Sequence, residues 1–118
     1  MKNVAVAVGF VLATAPAMAQ TQIQTIAPAE AKTHIGQTVT VEGPVGGVST
    51  LRSGMTFINM GGRYPDNVFT PVILTGDKAK FPDLRELDGK TVEVTGAISL
   101  YRGKPEIVLK TADQMKTK

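Results

Sequence analysis

Alternating apolar and polar positions are the strongest signal in this chain. In GQTVTVEGPV, residues 36–45, Val39, Val41 and Val45 share one face while Thr38, Thr40 and Glu42 share the other, the period-two signature of a half-buried strand. The pattern returns in GKTVEVTGAI, residues 89–98, with Val92, Val94 and Ile98 set against Thr91, Glu93 and Thr95. Each segment carries a glycine at an equivalent place, Gly43 or Gly96. A mid-strand glycine gives up side-chain packing, so the pair predicts bulges or the strong coiling that a small barrel requires.

Between these segments lie MTFINM, residues 55–60, and FTPVIL, residues 69–74. Burying Ile58 and Met60 turns Phe57 and Asn59 outward. Pro71 marks the second segment as an edge or a bulge, because proline has no N–H to give to a ladder. The connecting GGRYPDN is a run of turn formers. Near the end, SLYRGKPEIVL, residues 99–109, reads as a hairpin turning at Gly103, with Ile107 and Leu109 inward.

Two stretches break the period-two pattern. In IAPAEAKTHIG, Pro28 suits a first helical turn and Gly36 a stop, so a short helix is expected to pack Ile26, Ala31 and Ile35. In TGDKAKFPDLRELDG, Asp77 suits a capped turn, and Pro82 opens a second helix that turns Leu84 and Leu87 inward and stops at Gly89. The order is helix, three strands, helix, two strands. It predicts an all-β fold, a five-stranded antiparallel barrel with a short N-terminal helix and a helix between strands three and four.

The N-terminus modifies this picture. Lys2, the apolar run VAVAVGFVLATA and Ala17-Met18-Ala19 follow the pattern of a secretory signal, and the run is too short for a spanning helix, which needs about 20 apolar residues. The expected division is a signal peptide at 1–19, a flexible lead-in at 20–25, one domain at 26–114 and a polar tail at 115–118. An uncleaved anchor is the alternative to a signal peptide. Export to the periplasm or outside the cell follows from cleavage, with no stable membrane span left behind.

Taking Lys2 from the 13 basic residues leaves 12 against 10 acidic ones, so attraction to a polyanion has to come from local clustering rather than overall charge. The chain has no cysteine and a single histidine, His34, which leaves disulfides and a histidine or cysteine zinc site without ligands. Asp66, Asp77, Asp83, Glu86 and Asp88 sit where turns, caps and solvated charge account for them. No nucleophile triad, phosphate loop or cofactor motif is present, so no catalytic residue, metal or cofactor is assigned.

THIGQTVTVEGPV…LRSGMTFINMGGR resembles the opening strands of OB-fold nucleic-acid-binding domains of the tRNA-synthetase and helicase type. LDGKTVEVTGAISLYRGKPEIVLK resembles the closing strands of secreted or enzyme-attached OB domains of the nucleic-acid-binding kind. The likeness spans about residues 31–114. It implies that Phe57, matching a second-strand phenylalanine that stacks on an unpaired base in the synthetases, faces a ligand. Two departures stand out. The synthetases carry a tryptophan and an arginine run where this chain has only Arg52, and an arginine and aspartate where it has Gly61 and Gly62 before Arg63.

The hairpin between the last two strands forms one wall of an OB groove. The candidate contacts are therefore Arg52, Phe57, Asn59, Arg63, Tyr64, Tyr101, Arg102 and Lys104, rings for bases and cations for phosphates. Phe57 beneath the GGRYPDN loop, and Tyr101 as a cover for a barrel end, are the purely structural alternatives. The expectation is a non-catalytic module for single-stranded DNA or RNA. Its rivals are an envelope module for an oligosaccharide, a small solute or a protein, and a secreted nuclease.

Overall fold

The computed structural model describes residues 22–118; the expected signal segment lies outside the described residues. Among the described residues, eight strands form one sheet: β1 Thr25–Ile26, β2 Thr38–Thr50, β3 Thr56–Met60, β4 Thr70–Ile73, β5 Thr91–Ala97, β6 Ser99–Tyr101, β7 Lys104–Leu109 and β8 Met115–Thr117. Their order is β6-β7-β4-β3-β2-β5-β8, with β1 parallel to β2. The fold is all-β. No helix among the described residues is long and apolar enough to cross a membrane.

The spine is β2, a strand of 13 residues. Thr38–Pro44 pairs with β5 and Val45–Thr50 with β3, so one strand serves two parts of the sheet. The alternation of valines marks only its first half, since Gly46, Gly47 and the polar residues beyond interrupt the pattern. The register steps between Val45 and Gly47, which makes Gly46 the extra residue of a bulge. Of the two roles expected for Gly43 and Gly96, bulging and coiling, the unbroken register excludes the bulge. Their lack of a side chain serves close approach instead. A Cβ on Gly43 would sit 2.6 Å from Pro28 Cγ, and one on Gly96 would sit 2.6 Å from Ile107 Cγ2.

The inward faces are as the alternation requires. Val39, Val41, Val45, Ile58, Met60, Val92, Val94, Ile98, Ile107 and Leu109 are buried in one core, each such side chain contributing about 1.5–3 kcal/mol. No α-helix occurs among the described residues. The segment after β1 is a 3-10 helix, Pro28–Thr33, whose Glu30 carboxylate accepts from the Ala27 N–H at 2.8 Å. Ala31 and Ile26 are buried, whereas Ile35, expected to pack with them, is 39% exposed just beyond this helix. Two 3-10 helices, Thr75–Lys80 and Leu84–Leu87, stand where one helix was expected. Asp83 caps the second, and Leu84 and Leu87 are buried.

Three expectations are corrected. The lead-in ends in a strand, because Thr25 pairs with Thr40. The polar tail is also a strand, with Met115–Thr117 pairing with Val92–Val94. Lys118 then reaches the carboxylates of Glu42 and Glu93, at 3.4 and 4.0 Å. Finally, the sheet is neither wholly antiparallel nor a closed five-stranded barrel. β4 and β7 run parallel, and no ladder joins β5 to β7. Pro71 lies in β4, which has partners on both sides, but its ladder to β3 is short, Thr56 with Ile73 and Phe57 with Val72.

The Gln114 side chain bridges the open seam. Its Nε2 donates to Thr95 O at 3.1 Å and to Val108 O at 3.5 Å, and its Oε1 accepts from the Lys110 and Thr111 N–H groups at 2.7 and 3.0 Å. One amide does the work of a missing ladder. Gln114→Leu keeps the bulk but takes this donor from the partly buried Thr95 and Val108 carbonyls, a loss of about 1–3 kcal/mol. Urea denaturation should show the lower midpoint; an unchanged midpoint would mean the seam holds without the amide.

Candidate ligand groove

The outward faces of β2, β3, β4 and the β6–β7 hairpin frame an open groove of about 750 Å3. Phe57 comes from β3, Tyr64 from the loop after it, and Tyr101 from β6. These three rings, Tyr101 far in sequence from the other two, line one cavity. Tyr64 is 73% and Tyr101 53% exposed, while Phe57 is half-buried.

Leu51, Pro65 and Pro105 add apolar surface, and the rest of the lining is polar or charged. Asn59 lies on the outward side of β3, as alternation requires, yet is only 3% exposed. Its Nδ2 donates to Ser49 Oγ at 3.4 Å. Register explains the floor: Glu106 pairs with Thr70 on one side and Ser99 on the other, which puts their side chains in one row across the sheet. Glu106 was missed in the sequence. Its alternation with Pro105 and Ile107 was the available signal, since burying those two turns Glu106 onto the groove face.

Burial raises the Glu106 pKa above the ordinary carboxylate value. Folding therefore favours its protonated form, so its ionisation opposes folding at neutral pH and that opposition fades as pH falls through the raised value. Glu106→Gln should raise the melting temperature at neutral pH, with the gain shrinking on acidification. A gain that grows towards acid pH would contradict this sign.

The hairpin turn is made by Arg102 and Gly103, at φ 53° and 81°. Two successive positive φ values match the twist of a two-residue hairpin. Glycine adopts them freely; Arg102 does so against the ordinary preference of a long side chain. Its guanidinium lies 5.3 Å from the centre of the Tyr101 ring. Lys104, in β7, reaches across to the loop: its Nζ donates to Pro65 O at 2.7 Å and Asn67 Oδ1 at 3.3 Å and lies 5.9 Å from the Tyr64 ring centre.

Of the eight sequence candidates, Phe57, Asn59, Tyr64, Tyr101, Arg102 and Lys104 line this groove, and Arg52 and Arg63 do not. Arg52 is exposed in the β2–β3 turn. Arg63 extends instead towards Gly46 O, at 3.5 Å. A second depression, of about 470 Å3, lies between β2, β3 and the 3-10 helices and is lined by Val48, Thr56, Phe81, Leu84 and Lys78 among others. Its Arg85 is committed to Asp83, whose pKa it lowers to about 2. Among the described residues no cluster of three or more histidine, aspartate or glutamate side chains is placed to hold a metal ion.

No protein-family model and no curated protein sequence matches the chain. Solved structures do. A chain described as an aspartyl-tRNA synthetase from Leishmania major superposes with a TM-score of 0.55 at 13% identity, covering 90% of this chain and 22% of that one. The OBody AM1L10, solved bound to hen egg-white lysozyme, gives 0.57 at 19% identity, over 85% of this chain and 98% of that one. An asparaginyl-tRNA synthetase from Entamoeba histolytica gives 0.52 at 14%, over 83% and 24%. This chain spans only about a quarter or less of either synthetase. Likeness at this level of identity is likeness of fold, and the fold is of the OB type.

Proposed function

We propose that this protein is a non-catalytic binding module that takes single-stranded nucleic acid into the groove between β3 and the β6–β7 hairpin. One observation carries the reading: Phe57, Tyr64 and Tyr101 converge on one open groove with Arg102 at its rim. Every base has a π-face, so rings beside a cation bind single strands with little regard to sequence. The fold adds support, since two of the solved chains that share it are tRNA synthetases, named for a nucleic-acid substrate. Two finer elements belong to the reading: these residues as the contacts, and export directed by the N-terminal segment.

Fluorescence anisotropy with short labelled DNA and RNA single strands, at low and physiological salt, tests it. Saturable binding that a duplex of the same sequence competes for poorly is expected. Absence of saturable binding at low salt overturns the reading, and a glycan array is then the next probe of the same groove.

A further inference from the structure

We infer that Lys104 is a positioning residue that latches one wall of the groove to the other, and that Arg102 is the cation left to meet a phosphate. The inference rests on the binding reading above. A lysine ammonium has three donors. Two are committed, to Pro65 O and Asn67 Oδ1, and the group also lies against the Tyr64 ring. Asn67 is held in turn. It is 3% exposed, and its Nδ2 donates to Phe69 O at 3.3 Å and Thr70 Oγ1 at 2.8 Å, which leaves its Oδ1 facing Lys104.

These contacts tie β7 to a loop 37 to 39 residues away in sequence, and that loop carries Tyr64. A phosphate would have to compete with this network for the ammonium. Arg102 is different. Among the described residues it makes no hydrogen bond or ion pair; it lies only over the Tyr101 ring, exposed at the hairpin tip. The groove is therefore a stacking site with one phosphate contact, and its salt dependence should be shallow. For single strands each phosphate neutralised adds about 0.7 to the slope of log K against log salt.

The test compares Lys104→Met and Arg102→Met in the full chain by two measurements. Amide hydrogen exchange without ligand reads the latch. Exchange at Asp66 and Val68, whose N–H groups bond to Arg63 O and Met60 O, should quicken in Lys104→Met and stay unchanged in Arg102→Met. Oligonucleotide titration across a salt series reads the phosphate. Lys104→Met should bind about tenfold more weakly, through lost preorganisation, with the slope preserved, whereas Arg102→Met should flatten the slope by about 0.7. Unchanged exchange in Lys104→Met, or a slope flattened by that variant, overturns the inference. Lys104→Gln serves if Lys104→Met does not fold. If no oligonucleotide binds even the unmodified protein, the binding reading fails while the exchange result still decides the latch.

Discussion

Replacing Phe57 and Tyr101 together by alanine is expected to remove most of the affinity for single-stranded oligonucleotides. A base stacked on an aromatic ring contributes about 1–3 kcal/mol. Two rings acting independently give a loss between ~30-fold and ~20,000-fold, at about 1.4 kcal/mol per factor of ten. The lower end applies if one base bridges both rings, because contacts with a shared partner do not add. Tyr101 stands on an edge strand and is half exposed, so its removal leaves the core intact. Phe57 is half-buried, and a thermal melt of the double variant separates lost binding from lost folding. Leu100→Ala is the control. Leu100 neighbours Tyr101 and is 55% exposed, but alternation turns it to the other face of β6. It should bind as the unmodified protein does. A double variant that keeps its affinity would remove the groove from consideration.

Gly46→Ala is expected to be the most damaging single change to the fold. Gly46 is the bulged residue of β2, and there the strand meets the loop that follows β3 backbone to backbone. A Cβ would strike the Gly62 carbonyl group, falling 2.6 Å from its carbon and 3.1 Å from Arg63 N. Backbone atoms cannot rotate away as a side chain does. The loop must move, taking Tyr64 and the Lys104 contacts with it. Overpacking of this kind costs about 1–3 kcal/mol and at times more. For a domain of this size each kcal/mol shifts the melting temperature by roughly 4–8 °C. A fall of about 10 °C or more, with a looser groove, is the expected result. Gly76→Ala, at a position with open space around it, should change little. Equal stability of the two variants would show that the loop yields freely.

Period-two alternation made most of the core legible. Valines and isoleucines at every second position can be buried only on one face, whatever the partner strands, and Val39, Val41, Val92, Val94, Ile107 and Leu109 are so placed. Turn chemistry was equally local: Gly103 had to lie near the hairpin tip because positive φ is needed there. What alternation does not carry is pairing. Nothing in MKT at 115–117 distinguishes a tail from a strand, since its stability comes from the edge that β5 presents to it. The second half of β2 is hidden for the same reason, its ladder to β3 holding it extended through two glycines.

The candidate site divides along that line. The sequence by itself determined which residues face outward and which carry rings or charge, because side-chain direction follows from the backbone period and chemistry from residue type. Only the tertiary structure decided which of them meet. It brought Phe57, Tyr64 and Tyr101 to one groove, left Arg52 and Arg63 outside it, placed Glu106 on its floor and committed Lys104 to Pro65 and Asn67. Those outcomes depend on strand order, on the step in register at Gly46 and on contacts nearly 40 residues apart, and no local pattern encodes any of them.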